Sequence, residues 1–448
     1  MRAAFMLDSF GRRLALGSLR CRTAVVLAAS ALLTLSAPVA VAQTIAITGG
    51  KVYPVSGPAI ENGTVIIRDG KIAAVGAGVP IPQGAQRVDA TGKWVTPGLV
   101  NSATQLGLVE VGFGADANES NARAADHIAA DFTAWDGINP RSVYLTPAHE
   151  GGVTSAVSLP GGGLIAGQGA VIDVISGRSQ KEMIVKAPVV MVGQLGDDQA
   201  AGVGARGQLL VKLRGLIEDT RFYARHKADF DRAQSRALGA SRADLEAMIP
   251  VVEGRLPLLL SADRASDIQS ALDLAEAYDL RIIVAGGAEA WMVADKLAAA
   301  KVPVLVGAMN NIPYSFANLG SRQDNAALLR KAGVEVGLIG NAGGGDEELF
   351  NVRNIRYEAG NAVGYGMTWD DALRAVTLAP AQIFGVADRV GSLRPGTEAN
   401  VVVWNGDPFE FATSAEQVYI RGELQADSSR QDMLVQRYKN LPPSYAKP

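Results

Sequence analysis

Hydrophobic positions along this chain follow two rhythms. Near its start, strand-length apolar runs at residues 44–47, 63–68 and 71–76 are separated by turn residues, and Asp69-Gly70 between the last two predicts a hairpin. Similar runs return at residues 400–404, after Pro395-Gly396, and at residues 418–423. Between these ends the pattern changes. Runs at residues 155–160, 256–260, 281–285, 302–306 and 334–339 alternate with helical spacing, as in Ile268, Ala271, Leu272 and Ala275 at i, i+3, i+4 and i+7. Such alternation predicts parallel βα units. Thr368 is placed as an N-cap, with Asp371 in the first turn of a late helix. Residues 204–248 read as helices inserted between strands.

The stretch from Trp94 to Gly107 organises the rest. Val95, Leu99 and Val100 form a strand-like run that passes Pro97-Gly98 and ends in small polar residues, so a strand delivers its C-terminal end to a loop. That is where an α/β barrel keeps its chemistry. The glycine-rich run at residues 161–169 lacks the Gly-Lys-Ser/Thr ending of a phosphate loop and leads into a strand-like run at residues 170–175, which predicts a β-hairpin beside the barrel mouth. No Ser-His-Asp arrangement in a Gly-x-Ser-x-Gly context is present.

Composition narrows the class. With 448 residues, 48% hydrophobic and 19% charged, the chain describes a globular protein able to bury a large core. A net charge of −3 gives no reason to expect nucleic acid or an anionic membrane as partner. Arg12, Arg13, Arg20 and Arg22, an apolar stretch at residues 23–35 and Ala40-Val41-Ala42 before Gln43 read as a signal peptide over residues 1–42. The apolar run is shorter than the ~20 residues a spanning helix needs. Export is therefore expected, periplasmic in a Gram-negative source, with no stable membrane anchor after cleavage; a general secretory route fits the flanking residues better than a twin-arginine one. The single cysteine, Cys21, lies inside this segment, so the mature chain is expected to rely on its core rather than on disulfides.

The stretch at residues 97–105 resembles the first barrel strand of the amidohydrolase superfamily, which reads Pro-Gly-hydrophobic-hydrophobic-Asp-x-His-x-His with the histidines as metal ligands. Pro97, Gly98, Leu99 and Val100 match, Asn101 stands for the usual Asp, and the histidine positions are Ala103 and Gln105. Gly151 to Thr154, Gly161 to Gly169, Met367 to Leu373 and Gly391 to Gly396 are similar, in that order, to the imidazolonepropionase-like branch. The resemblance implies an α/β fold, a (β/α)8 TIM-like barrel over residues 95–392 with a helical insertion near 204–248. It also implies a small composite β-sandwich from residues 43–94 plus 393–426, leaving residues 427–448 as a C-terminal tail.

It further implies metal-assisted hydrolysis of a C–N bond, in which zinc or another divalent metal lowers the pKa of a bound water from about 16 toward 7. The remaining ligand positions fall on Ser261, Gly286 and Asn341, the last in place of a catalytic aspartate, and the bridging lysine of some subfamilies falls near Val192. Ala and Gly have no donor atom, and Gln, Ser and Asn are weak neutral ligands. No metal cofactor is expected, and the chain reads as a catalytically degenerate amidohydrolase that binds a small molecule or peptide, forms a homo-oligomer or pairs with an active relative. The alternative is an active hydrolase on non-peptide C–N bonds or small peptides through a non-standard site. Candidate pocket residues are Asp263, Arg264, Glu289 and His127, with a salt bridge tying loops together as the plainer role for the charged three. Neither His149 nor His226 lies at a strand end, and Asp346, Glu347 and Glu348 read as a helix N-terminus.

Overall fold

The computed structural model describes residues 44–110, 118–196, 204–309, 313, 315–340, 351–426 and 428–439. The signal segment, Asn341 and the acidic run Asp346 to Glu348 lie outside the described residues. Five strands open the fold: β1 (Thr44–Val52), β2 (Ile60–Arg68), β3 (Lys71–Ala77), β4 (Gln86–Asp89) and β5 (Trp94–Pro97). Asp69 and Gly70 both take positive φ, 52° and 73°, and close the expected hairpin with Arg68 opposite Lys71.

The barrel begins at β6 (Leu99–Thr104) and continues through β7 (Val153–Ser158), β8 (Ile165–Asp173), β9 (Ile184–Gln194), β10 (Leu258–Ala262), β11 (Ile282–Gly286), β12 (Val304–Val306) and β13 (Val336–Leu338). These eight strands pair in chain order. Gly337 of β13 packs against Ser102 of β6, which brings the two ends of the sheet together. Strand alternation decides the layers. Leu259, Ile283, Leu305 and Val157 fill the barrel interior, closed below by Ile383, Phe384 and Val390. Leu258, Leu260, Ile282, Val284 and Val336 face outward against helix residues such as Ile268, Leu297 and Leu329.

One strand departs from the expected pattern. The chain after β7 was expected to form a hairpin beside the mouth, but β8 lies within the wall, antiparallel to both β7 and β9. The turn at Pro160–Gly163 reverses the chain directly, and with no crossover helix the strand can only return antiparallel. The inserted helices, Arg206–Arg225, Lys227–Asp231 and Arg242–Val252, come between β9 and β10.

The chain returns through β14 (Val401–Trp404), β15 (Ala415–Ile420) and β16 (Glu423–Leu424) to complete a second eight-stranded sheet. Strand β5 joins the two ends, pairing with β1 at Lys51–Trp94 and with β14 from Val401–Pro97 to Trp404–Trp94. The apolar run read as one strand is therefore two: residues 94–97 belong to the small sheet and residues 99–104 to the barrel. Pro97 has no N–H for a continuous ladder. Gly98 supplies the close approach, since a Cβ there would lie 2.0 Å from Thr154 Oγ1. The helix Trp369–Ala375 starts as expected, with Thr368 Oγ1 accepting from Asp371 N at 3.1 Å. No helix among the described residues is long and apolar enough to cross a membrane.

Candidate functional site

Strand ends converge on a cavity of about 380 Å³ at the C-terminal mouth of the barrel. Ala103 and Thr104 enter it from β6 with Gln105 just after, Val192 and Gln194 from β9, Leu259 and Ser261 from β10 with Asp263 just after, Ala285 and Gly286 from β11, and Ile339 from just after β13. Four of the five expected ligand positions thus meet in one pocket. The fifth, Asn341, lies outside the described residues. The floor is apolar, built from Val192, Leu259, Ala285 and Ile339, and the polar groups are amides, hydroxyls and the single carboxylate of Asp263. Among the described residues no group of three His, Cys, Asp or Glu is placed to hold a metal ion.

Gly286 shows more than a missing side chain. Its φ is +87°, and a Cβ built there would lie 2.6 Å from Asp263 Oδ1. An L-residue is strained at that φ, and the volume into which its side chain would project is filled by the Asp263 carboxylate. Asp263 is held there: Oδ1 accepts from Ala288 N at 3.2 Å, and its carbonyl accepts from Glu289 N at 2.8 Å. The backbone of Gly287 bonds back to Ala262 O at 2.9 Å, which fixes the turn. The aspartate thus occupies the place in which a histidine at 286 would have to begin.

Gln194 is a pocket residue that the pattern reading passed over. Among the described residues its Oε1 is buried without a hydrogen-bond partner. The signal was present: two residues beyond Val192 on one strand, it shares the inward face. Gln105 turns its amide toward the loop after β7, where Nε2 is 3.1 Å from the Cβ position of Gly161.

The other candidates do not line the pocket. Glu289 accepts from Ala265 N at 2.9 Å and Gly320 N at 3.1 Å, so it ties a helix N-terminus to the loop after β12. It does so through backbone N–H groups rather than an ion pair with Arg264. Arg264 is half-buried as the N-cap residue of the helix Ala265–Tyr278. His127 has φ +65°, and its carbonyl accepts from Leu164 N and Ile165 N at the start of β8. His149 is buried with Nδ1 3.2 Å from Val174 O, and His226 stacks on Phe222 at 4.3 Å.

A barrel wall of parallel strands broken by one antiparallel member, a cavity at its mouth and a second sheet from both chain ends define the architecture. The Amidohydrolase family model matches residues 265–425, a span that takes in β11 to β16 and leaves out Ala103, Gln105 and Ser261. An imidazolonepropionase from Mesorhizobium japonicum is 27% identical over 402 residues, covering 81% of this chain and 90% of that protein. The amidohydrolase tasK of Hapsidospora irregularis is 24% identical over 397 residues; these cover 82% of this chain and 40% of that longer protein. The crystal structure of an amidohydrolase from Thermotoga maritima superposes with a TM-score of 0.77 at 29% identity, covering 86% of this chain and all of that one. The chain thus carries an amidohydrolase family domain over residues 265–425 and is similar to amidohydrolases over most of its length.

Proposed function

We propose that this protein is an exported, catalytically degenerate amidohydrolase whose barrel holds no metal and serves as a ligand-binding or partner-supporting subunit. The observation that carries the reading is the left-handed Gly286 with the Asp263 carboxylate in its Cβ volume. Hydrolysis in this superfamily needs open-sided imidazole and carboxylate ligation that lowers the pKa of a bound water. The donor set here does not fit such a group: Ala103 and Gly286 offer no donor atom, Gln105 and Ser261 offer neutral ones, and Val192 stands on the fourth strand. What remains suits binding. An apolar floor takes the body of a small molecule or short peptide, and the amides of Gln105 and Gln194 with the Ser261 hydroxyl orient its polar groups.

Export rests on the segment at residues 1–42, with the periplasm as destination in a Gram-negative source. The net charge of −3 favours a small-molecule, peptide or protein partner, including a second copy or an active relative, over nucleic acid. A second reading is supported by Asp263 at the pocket and by relatives named imidazolonepropionase and dihydroorotase. In it, the chain hydrolyses non-peptide C–N bonds or small peptides, with Asp263 as general base. Metal analysis of the purified mature protein, with assays on cyclic amides and dipeptides with and without zinc or manganese, separates the two. Turnover with stoichiometric metal overturns the first reading, and metal-free turnover abolished by Asp263→Asn establishes the second.

A further inference from the structure

A second cavity, of about 340 Å³, lies between the barrel and the small sheet and shares no residue with the mouth. Glu150, Arg353, Arg356, Tyr357, Trp404 and Ser414 line it. Arg356 is only 9% exposed. Its Nη1 donates to Thr413 O at 2.7 Å and to Pro408 O at 3.3 Å, and its Nη2 donates to the Tyr357 hydroxyl. The guanidinium lies 4.5 Å from the Tyr357 ring centroid and 5.9 Å from that of Trp404. Among the described residues no carboxylate pairs with it. Glu150, the acid on the same wall, is engaged elsewhere, accepting from Ser429 N at 3.1 Å.

A buried cation without an anion is costly, and carbonyl dipoles and aromatic faces offset only part of that cost. Arg353 brings a second guanidinium to the cavity, exposed and without an ion pair among the described residues. Two guanidinium groups lining one cavity suit a small oxyanion. We propose that this cavity binds a small oxyanion, a carboxylate or phosphate, whose charge completes Arg356 beside the exposed guanidinium of Arg353. Its walls come from the helices Leu145–Glu150 and Ile355–Gly364 on one side and from β14 and β15 on the other, so the ligand bridges helices of the barrel to the small sheet. The site is independent of what occupies the mouth.

Isothermal titration of the mature protein with benzoate, inorganic phosphate and benzylamine tests this. Saturable binding of benzoate is expected, with no binding of benzylamine. Arg353→Gln, at an exposed position, is expected to fold as the parent and to weaken benzoate binding at least about ten-fold through loss of a charge-assisted contact. Arg356→Gln is expected to abolish binding if it folds; Arg353→Gln decides the matter if it does not. Phosphate binding in place of benzoate, equally weakened by Arg353→Gln, supports the oxyanion site and makes the free anion its ligand. Absence of saturable binding for both anions, or unchanged affinity in Arg353→Gln, overturns the proposal.

Discussion

Restoring a histidine at Gly286 provides a sharp test of the pocket geometry. The φ of +87° costs a non-glycine residue about 1–2 kcal/mol. A Cβ 2.6 Å from Asp263 Oδ1 then forces that carboxylate away and breaks its bond to Ala288 N, a loss of roughly 1–3 kcal/mol. Gly286→His should therefore destabilise the fold by about 2–5 kcal/mol. Gly286→Ala isolates the backbone and Cβ parts. In an Asp263→Ala background the clash has no partner, so the cost of Gly286→Ala should fall toward the φ contribution alone, leaving a coupling of about 1 kcal/mol or more. Urea unfolding followed by tryptophan fluorescence measures all four corners of the cycle. Neutral behaviour of Gly286→Ala, or a coupling indistinguishable from zero, would refute the claim that Asp263 occupies the position of the missing side chain.

Three other outcomes follow from the same structure. Burial, opposed by Arg421, raises the Asp173 pKa from 3.8 to about 6, so folding takes up a proton between these values. The resulting penalty, about 3 kcal/mol at full extent, is present above pH 6 and disappears as pH falls toward 3.8, and parallel pH–stability profiles for the parent and Asp173→Asn would contradict it. Glu289→Ala should lower stability by about 1–3 kcal/mol by leaving Ala265 N and Gly320 N without their acceptor; a silent melt would remove the bracing role. Gln194→Met, which removes at similar volume a buried oxygen without a partner among the described residues, should raise stability by about 1 kcal/mol in thermal melts, and a fall of that size would count against the vacant acceptor.

Periodicity made much of this fold legible. Asp69-Gly70, the buried helix face at Ile268, Ala271 and Leu272, and the Thr368 cap are local decisions of the chain, and each lies where its sequence places it. The strand ends carrying Ala103, Gln105, Ser261 and Gly286 were equally legible, because residue-by-residue matching to a barrel motif fixes position independently of side-chain identity. Pairing partners were not. Val95 and Leu99 share one apolar pattern while belonging to different sheets, since alternation specifies which face is buried and not which strand lies alongside. The antiparallel course of β8 follows from the short turn before it, and the acceptor roles of Glu289 and Asp263 depend on backbone N–H groups from distant loops. A left-handed φ at Gly286 is open to glycine at any position, so only the fold reveals that it is used there.

Metal stoichiometry measured with turnover tests the central claim most directly. The mature protein, purified without chelator, equilibrated with zinc or manganese and then freed of unbound ion, is analysed by mass spectrometry for metal per chain while cyclic amides and dipeptides are assayed on the same sample. A degenerate barrel should carry far less than one metal per chain and show no hydrolysis above the buffer rate. One metal per chain with saturable turnover would contradict it.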